Sequence, residues 1–200
     1  MSSTRFSFSQ LAQRTVSPPI TYLMGEGVTN PNLISLAAGL VDYDSLPVEP
    51  VGQACARLFG NEAAARVALQ YGTTEGLAEL RDTVLTHLEG LEGCSRQALH
   101  LTSDNVVITT GSQQMLHLLT SILVDPGDIV ITAAPSYFVY TYVLQAIGAR
   151  VRIVPADAGG MRTDALRALL EECRQAGELD RVKIIYAVSY FDNPTGISIA

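Results

Sequence analysis

The stretch that decides the fold is residues 129–154, IVITAAPSYFVYTYVLQAIGARVRIV. The apolar run at 129–133 predicts a buried strand, residues 136–147 predict a helix that ends at Gly148, and the apolar run at 151–154 predicts a second strand. A strand, a helix and a strand in this order predict a βαβ unit with parallel strands, because the helix returns the chain to the edge of the sheet from which it started.

The same alternation continues on both sides of this stretch. Upstream, residues 106–110 predict a short strand, and Gly111 then opens a helical segment with apolar residues at helical spacing, namely Met115, Leu118, Leu119, Ile122 and Leu123. Downstream, a helix is predicted to begin at Thr163 and an apolar strand to cover residues 182–188. Apolar strands that alternate with helices predict right-handed βαβ units and a mainly parallel sheet between two layers of helices. The predicted fold class is therefore α/β.

The first hundred residues are less regular. Residues 1–32 are polar and are interrupted by prolines and glycines, so we expect an arm that packs against another part of the protein. Helices are predicted over 48–59 and 75–91.

The composition excludes several classes of function. The chain has 200 residues, a formal net charge of −7 and only 13 scattered lysines and arginines, so no basic surface for nucleic acid is predicted. No apolar run approaches the roughly 20 residues that cross a bilayer, and the opening residues lack the apolar core of a signal peptide. We therefore expect no membrane partner and a cytoplasmic location. The three cysteines lie far apart without a CxxC pair, so neither a metal site nor a disulfide framework is predicted.

Ligands of α/β sheets gather beyond the carboxyl ends of the strands, and three predicted strand ends carry suitable side chains. Gly111, Ser112 and Gln113 begin a helix, whose N–H groups and positive dipole end suit a phosphate monoester, although glycine and serine are also common at ordinary helix starts. Tyr137 follows the next strand with a ring that suits stacking on a flat ligand, a position equally typical of core or surface tyrosines. Asn193 presents an amide at an Asn-Pro turn, which is usually only a turn.

Taken in order, a phosphate cradle, a stacking ring and an amide donor describe a site for a phosphorylated aromatic ring, and pyridoxal 5′-phosphate fits that description. The chain resembles the fold-type-I aminotransferases, in particular the class I/II group with aminoadipate, kynurenine and aromatic aminotransferases. The segments that carry the resemblance lie in family order within residues 33–200: ISLAAGL at 34–40, QYGTTEG at 70–76, TGSQQ at 110–114, PSY at 135–137 and NPTG at 193–196.

The resemblance implies a role for each matching residue toward the cofactor. Gly111, Ser112 and Gln113 would hold its phosphate, Tyr137 would stack on its ring, and Asn193 would donate a hydrogen bond to its phenolic oxygen.

Two further residues are implied to act outside this ring site. Gly39 would lie beside the bound amino acid, where the lack of a side chain leaves room for substrate. Tyr71 would reach the cofactor phosphate of the neighbouring subunit, which implies a homodimer with composite sites. The implied domains are an arm at 1–32, the first part of a small domain at 33–68, and the first part of the cofactor-binding large domain at 69–200.

The implied reaction is transfer of an amino group between an amino acid and a 2-oxo acid. The family also needs a Schiff-base lysine, an aspartate for the pyridine nitrogen and usually an arginine for the substrate carboxylate, all beyond the NPTG segment. The only lysine here is Lys183, at the start of the strand that delivers Asn193. At roughly 3.3 Å per residue the two are about 25 to 30 Å apart, so Lys183 is excluded and no catalytic residue is assigned to this chain. We expect the chain to be the first half of a longer enzyme.

Three alternatives remain open. Another fold-type-I enzyme with the same cofactor, such as a β-lyase or a decarboxylating or cyclising enzyme, would carry the same segments. An aminotransferase-like effector domain of a transcriptional regulator would also carry them. A nicotinamide-binding Rossmann protein is disfavoured, because the glycine fingerprint is missing.

Overall fold

The computed structural model describes residues 6–30, 32–34, 36 and 41–199. Contacts between Cα atoms divide the chain into two compact units. We call Met1–Ile34 with Gly111–Ala200 the sheet unit, and Ser35–Thr110 the helical unit. The predicted division of the chain after residues 32 and 68 stays a prediction.

Helices and strands alternate in the second half of the chain, as predicted. In chain order the elements are α1 (Gln10–Arg14), α2 (Pro19–Thr29), α3 (Val48–Phe59), α4 (Glu62–Ala68), α5 (Ala78–Glu92), α6 (Gly111–Leu123), β1 (Ile129–Ala134), α7 (Phe138–Ile147), β2 (Arg150–Asp157), β3 (Gly160–Met161), α8 (Thr163–Gln175) and β4 (Val182–Tyr186). The predicted helix over 48–59 is confirmed at both ends, whereas the last predicted strand ends at Tyr186 rather than at residue 188.

The sheet places its strands in the order β3-β2-β1-β4. β1 is parallel to both β2 and β4, and the two-residue β3 is antiparallel to β2. Among the described residues β4 has a paired neighbour on one side only, so it is an edge strand. The predicted α/β class with a mainly parallel sheet is confirmed.

Helices cover both faces of the sheet, and the alternation of side chains along β1 supplies both contacts. One buried cluster contains Val130 with residues of α7 and the residue that follows α6: Val124, Tyr140, Leu144 and Ile147. The opposite cluster combines β1 with β2 and α8: Ile129, Ile131, Val154, Leu169 and Cys173. Full burial of such a side chain stabilises the fold by about 1.5 to 3 kcal/mol, so these two clusters hold the helices on the sheet.

The helix predicted after Gly111 is confirmed as α6. The side of α6 that is buried, however, is not the side that carries its apolar stripe. Thr120 is fully buried and Leu116 packs against the first cluster. The stripe residues, by contrast, are each at least 37% exposed: Met115, Leu118, Leu119, Ile122 and Leu123. Burial of Thr120 is tolerated because its hydroxyl is paired twice, 2.7 Å from the Leu116 carbonyl oxygen and 2.9 Å from the Tyr140 hydroxyl.

The strand predicted over residues 106–110 is wrong. These residues have no regular secondary structure, and within the described ranges no strand runs beside them. Ile108 donates its backbone N–H to the Glu75 carbonyl oxygen at 2.9 Å. A strand needs a neighbour that pairs its N–H and C=O groups, and the apolar pattern of one segment does not show whether that neighbour is present.

The arm forms two helices where irregular structure was predicted. Pro19 is the first residue of α2, a position where its fixed φ suits the helix and its missing N–H removes no hydrogen bond. The end of α1 contacts the C-terminus of α7, because Arg14 donates to the carbonyl oxygens of Ala146 and Ile147 at 3.0 Å each. A cation is favourable there, since the last carbonyls of a helix carry its negative dipole end. The expected packing of the arm is therefore seen for α1.

In the helical unit, α5 begins at Ala78 rather than at residue 75, after a turn that requires glycine. Gly76 has a φ of +97°, and a Cβ at this position would lie 2.6 Å from the Ile108 side chain. Leu85 of α5, 1% exposed, is the one buried residue among those described in this unit.

Arg96 ties the segment after α5 back onto that helix. Its guanidinium forms an ion pair with Asp82 and, at 3.0 Å, with Glu89, and also donates to the Thr86 hydroxyl at 2.8 Å. The Arg96 backbone N–H donates to Glu89 at 2.6 Å as well. Both donations favour the charged carboxylate, and the backbone N–H followed by the guanidinium lowers the pKa of Glu89.

Two features are absent from the described part of the chain. None of its helices is both long and apolar enough to cross a membrane. None of its groups of histidine, cysteine, aspartate and glutamate side chains could hold a metal ion.

Candidate functional site

The start of α6 has the geometry of an anion site. Gly111 has a φ of +76°, a conformation that favours glycine, and it leads directly into a helix of 13 residues. Ser112 and Gln113 follow in the first turn, whose N–H groups have no acceptors within the helix. The positive end of the helix dipole lies at the same place, so an anion near Ser112 is stabilised.

An open groove of about 590 Å³ lies beside this helix start. It is lined by Ser112, Met115 and Leu116 of α6, by Tyr137 and by residues 186–190 at the end of β4. Its size falls in the range of about 300 to 1,000 Å³ that is usual for small-molecule sites. The structure therefore brings Ser112 and Tyr137, predicted as a phosphate contact and a stacking ring, to one surface.

Tyrosines form much of the groove. Tyr137 lies in the short turn between β1 and α7 and packs against the first buried cluster, so its ring is partly held by the core. Tyr186, the last residue of β4, packs on Tyr140 with ring centroids 4.6 Å apart. Burial raises the pKa of Tyr186, and the nearby charge of Asp192 raises it further. Tyr186 is therefore a neutral phenol at the base of the groove.

Gln113 carries an unusual buried atom. Its side-chain oxygen is buried and accepts no hydrogen bond from any described residue. A buried amide oxygen without a donor is unfavourable by about 1 to 3 kcal/mol. The start of α6 therefore contains an amide oxygen that could accept a hydrogen bond but receives none from the described residues.

Asn193 lies at a tight turn beyond β4. The turn is closed by backbone hydrogen bonds from Gly196 to the Asp192 carbonyl oxygen at 2.6 Å and from Asp192 to the Ile197 carbonyl oxygen at 2.8 Å. Asn193 itself is exposed and does not line the groove. Its predicted role as an amide donor to the ligand stays a prediction.

The remaining predicted residues lie elsewhere. Tyr71 belongs to the helical unit and is 98% exposed, so its side chain is not held by that unit. Gly39 lies outside the described residues. Lys183, excluded as the Schiff-base residue, lies at the amino end of β4, and its Nζ donates to the Asp180 carbonyl oxygen at 2.7 Å.

Sequence reasoning missed Tyr186, Tyr190 and Asp192. Tyr186 was hidden inside an apolar strand, although its position at the carboxyl end of that strand could have identified it. Tyr190 and Asp192 stand in the loop that leads to Asn193, and only the structure places Tyr190 in the groove and Asp192 in a hydrogen bond across the turn.

Known proteins match this chain over most of its length. The family model described as aminotransferase class I and II matches residues 31–200. Aromatic-amino-acid aminotransferase 1 of Thermococcus litoralis is 32% identical over 172 residues, which are 86% of this chain and 39% of that protein. The 2-aminoadipate transaminase of Thermus thermophilus is 34% identical over 166 residues, which are 83% of this chain and 37% of that protein.

The fold is also shared with a solved structure. Kynurenine aminotransferase of Pyrococcus horikoshii, in complex with PMP and KYN as substrates and KYA as products, superposes with a TM-score of 0.83 at 32% identity. The match covers 96% of this chain and 45% of that protein. This chain therefore spans about two fifths of the length of these relatives. Because the family model matches residues 31–200, the chain belongs to the aminotransferase class I and II family.

Proposed function

We propose that the complete protein containing this chain is a pyridoxal 5′-phosphate-dependent aminotransferase, which transfers an amino group between an amino acid and a 2-oxo acid. The observation that carries the proposal is the groove between α6 and the end of β4. It combines an anion-binding helix start at Ser112 with the ring of Tyr137, in a chain whose family is that of aminotransferases.

The residues present fit a phosphorylated pyridine. Phosphate suits the N–H groups of the first turn of α6 and the Ser112 hydroxyl. The rings of Tyr137, Tyr186 and Tyr190 suit a flat aromatic body. Gln113 could serve the phosphate through its backbone N–H and its side-chain NH2 group, which are donors, whereas its buried oxygen is an acceptor and does not suit an anion.

Each residue then has a defined task. Gly111 permits the turn into α6, and Ser112 and Gln113 would bind and orient the phosphate. Tyr137 would hold the ring plane and exclude water from one of its faces. Asn193 would donate a hydrogen bond to the phenolic oxygen. When bound, the cofactor supplies an electron sink that makes the α-proton of an amino acid acidic.

The group that moves this proton is proposed to lie outside these 200 residues. Lys183 is the only lysine of the chain, and β4 carries it at the end opposite to the groove. The length of the relatives leaves room for a lysine from a later part of a longer protein.

We also propose a homodimer with composite sites. Tyr71 would contact the cofactor phosphate of the neighbouring subunit, which is supported by its 98% exposure. Gly39 would leave room for the bound amino acid.

The test uses the complete protein loaded with pyridoxal 5′-phosphate. An amino acid alone should change the visible absorbance of the bound cofactor, and a 2-oxo acid should restore it. Irreversible release of ammonia or carbon dioxide would instead indicate a lyase or a decarboxylase. Binding of an amino acid without any turnover would favour an effector domain of a regulator.

A further inference from the structure

The turn that contains Asn193 is held by the side chain of the preceding residue, Asp192. Thr195 Oγ1 donates to Asp192 Oδ2 at 3.1 Å, and the Ile197 backbone N–H donates to the same Thr195 oxygen at 3.2 Å. A hydrogen bond to a charged carboxylate is stronger than a neutral one. Asp192 and Thr195 therefore close the turn through their side chains, in addition to the backbone bonds between residues 192 and 196–197.

The second carboxylate oxygen of Asp192, Oδ1, has a different environment. Oδ1 is buried and accepts no hydrogen bond from any described residue. Asp192 and Thr195 both line a small cavity of about 20 Å³ that Ser136 also lines. A buried carboxylate oxygen without a donor is unfavourable, and the cavity beside it is large enough for about one water molecule that could donate to it.

Asp192 also lies close to the groove. Its charge contributes to the raised pKa of Tyr186, which lines the groove at the end of β4. The next residue along the chain is Asn193, whose side chain no described hydrogen bond holds. The orientation of Asn193 therefore depends on the shape of its turn.

We propose that Asp192 is a positioning residue, which through Thr195 fixes the turn so that the Asn193 amide is held ready for the phenolic oxygen of the cofactor. The inference rests on the proposed function, because it assigns a task to the same site. Asp192 itself would touch neither cofactor nor substrate.

The experiment is a double-mutant cycle on cofactor affinity in the complete protein, with pyridoxal 5′-phosphate as the probe. Asp192→Ala should raise the dissociation constant of the cofactor about tenfold, which is the change expected when about one hydrogen bond to the cofactor is weakened. In an Asn193→Ala background the same change should raise it less than about twofold, because no amide remains to be positioned. Asp192→Ala and Asn193→Ala should also shift the visible absorbance of the bound cofactor in the same direction.

Conservative variants separate positioning from folding. Asp192→Asn keeps an acceptor for Thr195 and should bind the cofactor within about threefold of the unmodified protein, since only the charge assistance is lost. Thr195→Val removes the same bond from the other side together with the acceptor of the Ile197 N–H, so its loss of affinity should be at least as large as that of Asp192→Ala.

Three outcomes would overturn the inference. Equal losses for Asp192→Ala in both backgrounds would show general destabilisation rather than positioning. Unchanged affinity and absorbance in Asp192→Ala would show that the turn holds without it. If the unmodified protein does not bind the cofactor at all, the proposed function fails together with the inference, and that result is distinct from either variant pattern.

Discussion

The sheet unit and the helical unit differ in how their apolar side chains are used. In the sheet unit, β1 alone contributes four consecutive buried residues, Ile129–Thr132, because helices cover both faces of the sheet. In the helical unit, α3 and α4 bury no residue, although α3 carries Val51, Cys55 and Leu58 on one side. Burial therefore needs an opposing surface, and among the described residues none covers α3 and α4 to the extent that helices cover β1.

The largest expected effect comes from deleting a core side chain. Leu144→Ala removes a fully buried residue of α7 and should lower the free energy of unfolding of the sheet unit by about 2 to 5 kcal/mol. The matched change Leu58→Ala in α3 should lower that of the helical unit by less than about 1 kcal/mol, because Leu58 is partly exposed. Hydrogen exchange of β1 and α3 in the complete protein measures each unit separately. An equal loss in both would show that α3 packs against a further surface in solution.

The next effect concerns a groove residue. Tyr137→Ala should weaken binding of pyridoxal 5′-phosphate by about 1 to 3 kcal/mol, because the ring supplies stacking and apolar contact. Tyr137→Phe keeps the ring and should bind nearly as well as the unmodified protein. Tyr22→Ala, at an exposed position of α2, is the control. Equilibrium dialysis gives the affinities, and unchanged affinity and absorbance in Tyr137→Ala would remove this residue from the site.

A third test asks whether the helical unit serves the neighbouring subunit. Subunits with Tyr71→Phe are mixed with subunits that lack the catalytic lysine of the complete protein. In the mixed dimer both lesions should fall in one site and leave the other intact, so activity should be partly recovered. Mixed dimers that form but show no activity above either parent would place Tyr71 in its own subunit's site or in none.

The smallest effect is the pH dependence of the helical unit. The lowered pKa of Glu89 means that its bonds to Arg96 contribute stability above the ordinary pKa of a glutamate. That contribution should be lost as the pH falls through the lowered value in the folded protein. The protection factor of the Arg96 amide against hydrogen exchange, measured between pH 6 and pH 3, reports this contribution. Glu89→Gln should remove the pH dependence of this protection factor. Acid sensitivity that persists in this variant would assign the effect to another carboxylate.

Most of the sheet unit could be predicted from sequence, and the exceptions in the two units share a cause. β1, α7 and α8 have strong local patterns and form where they were expected. Residues 106–110 of the helical unit have the same kind of pattern, but no strand among the described residues lies beside them, and α6 of the sheet unit buries Thr120 instead of its apolar stripe. In both cases the outcome depends on what packs against the segment, which a local pattern does not contain.

The candidate site likewise combines residues that the sequence predicted with a groove that only the structure shows. The sequence alone predicted roles for Ser112 at a helix start and for Tyr137 after a strand end, because these positions suit an anion and a flat ligand. Their common groove required the sheet to place the start of α6 beside the ends of β1 and β4.

The sequence by itself determined the fold class, the alternation of β1, α7, β2, α8 and β4 and the residue types available for a phosphorylated ring, since these follow from spacing and side-chain chemistry along one segment at a time. Only the tertiary structure decided which side of α6 is buried, that Tyr186 and Tyr190 join the groove, and that Asp192 closes the turn of Asn193. The physical reason is that burial and hydrogen-bond pairing are properties of two surfaces in contact, and their free energy depends on residues that are distant in the chain.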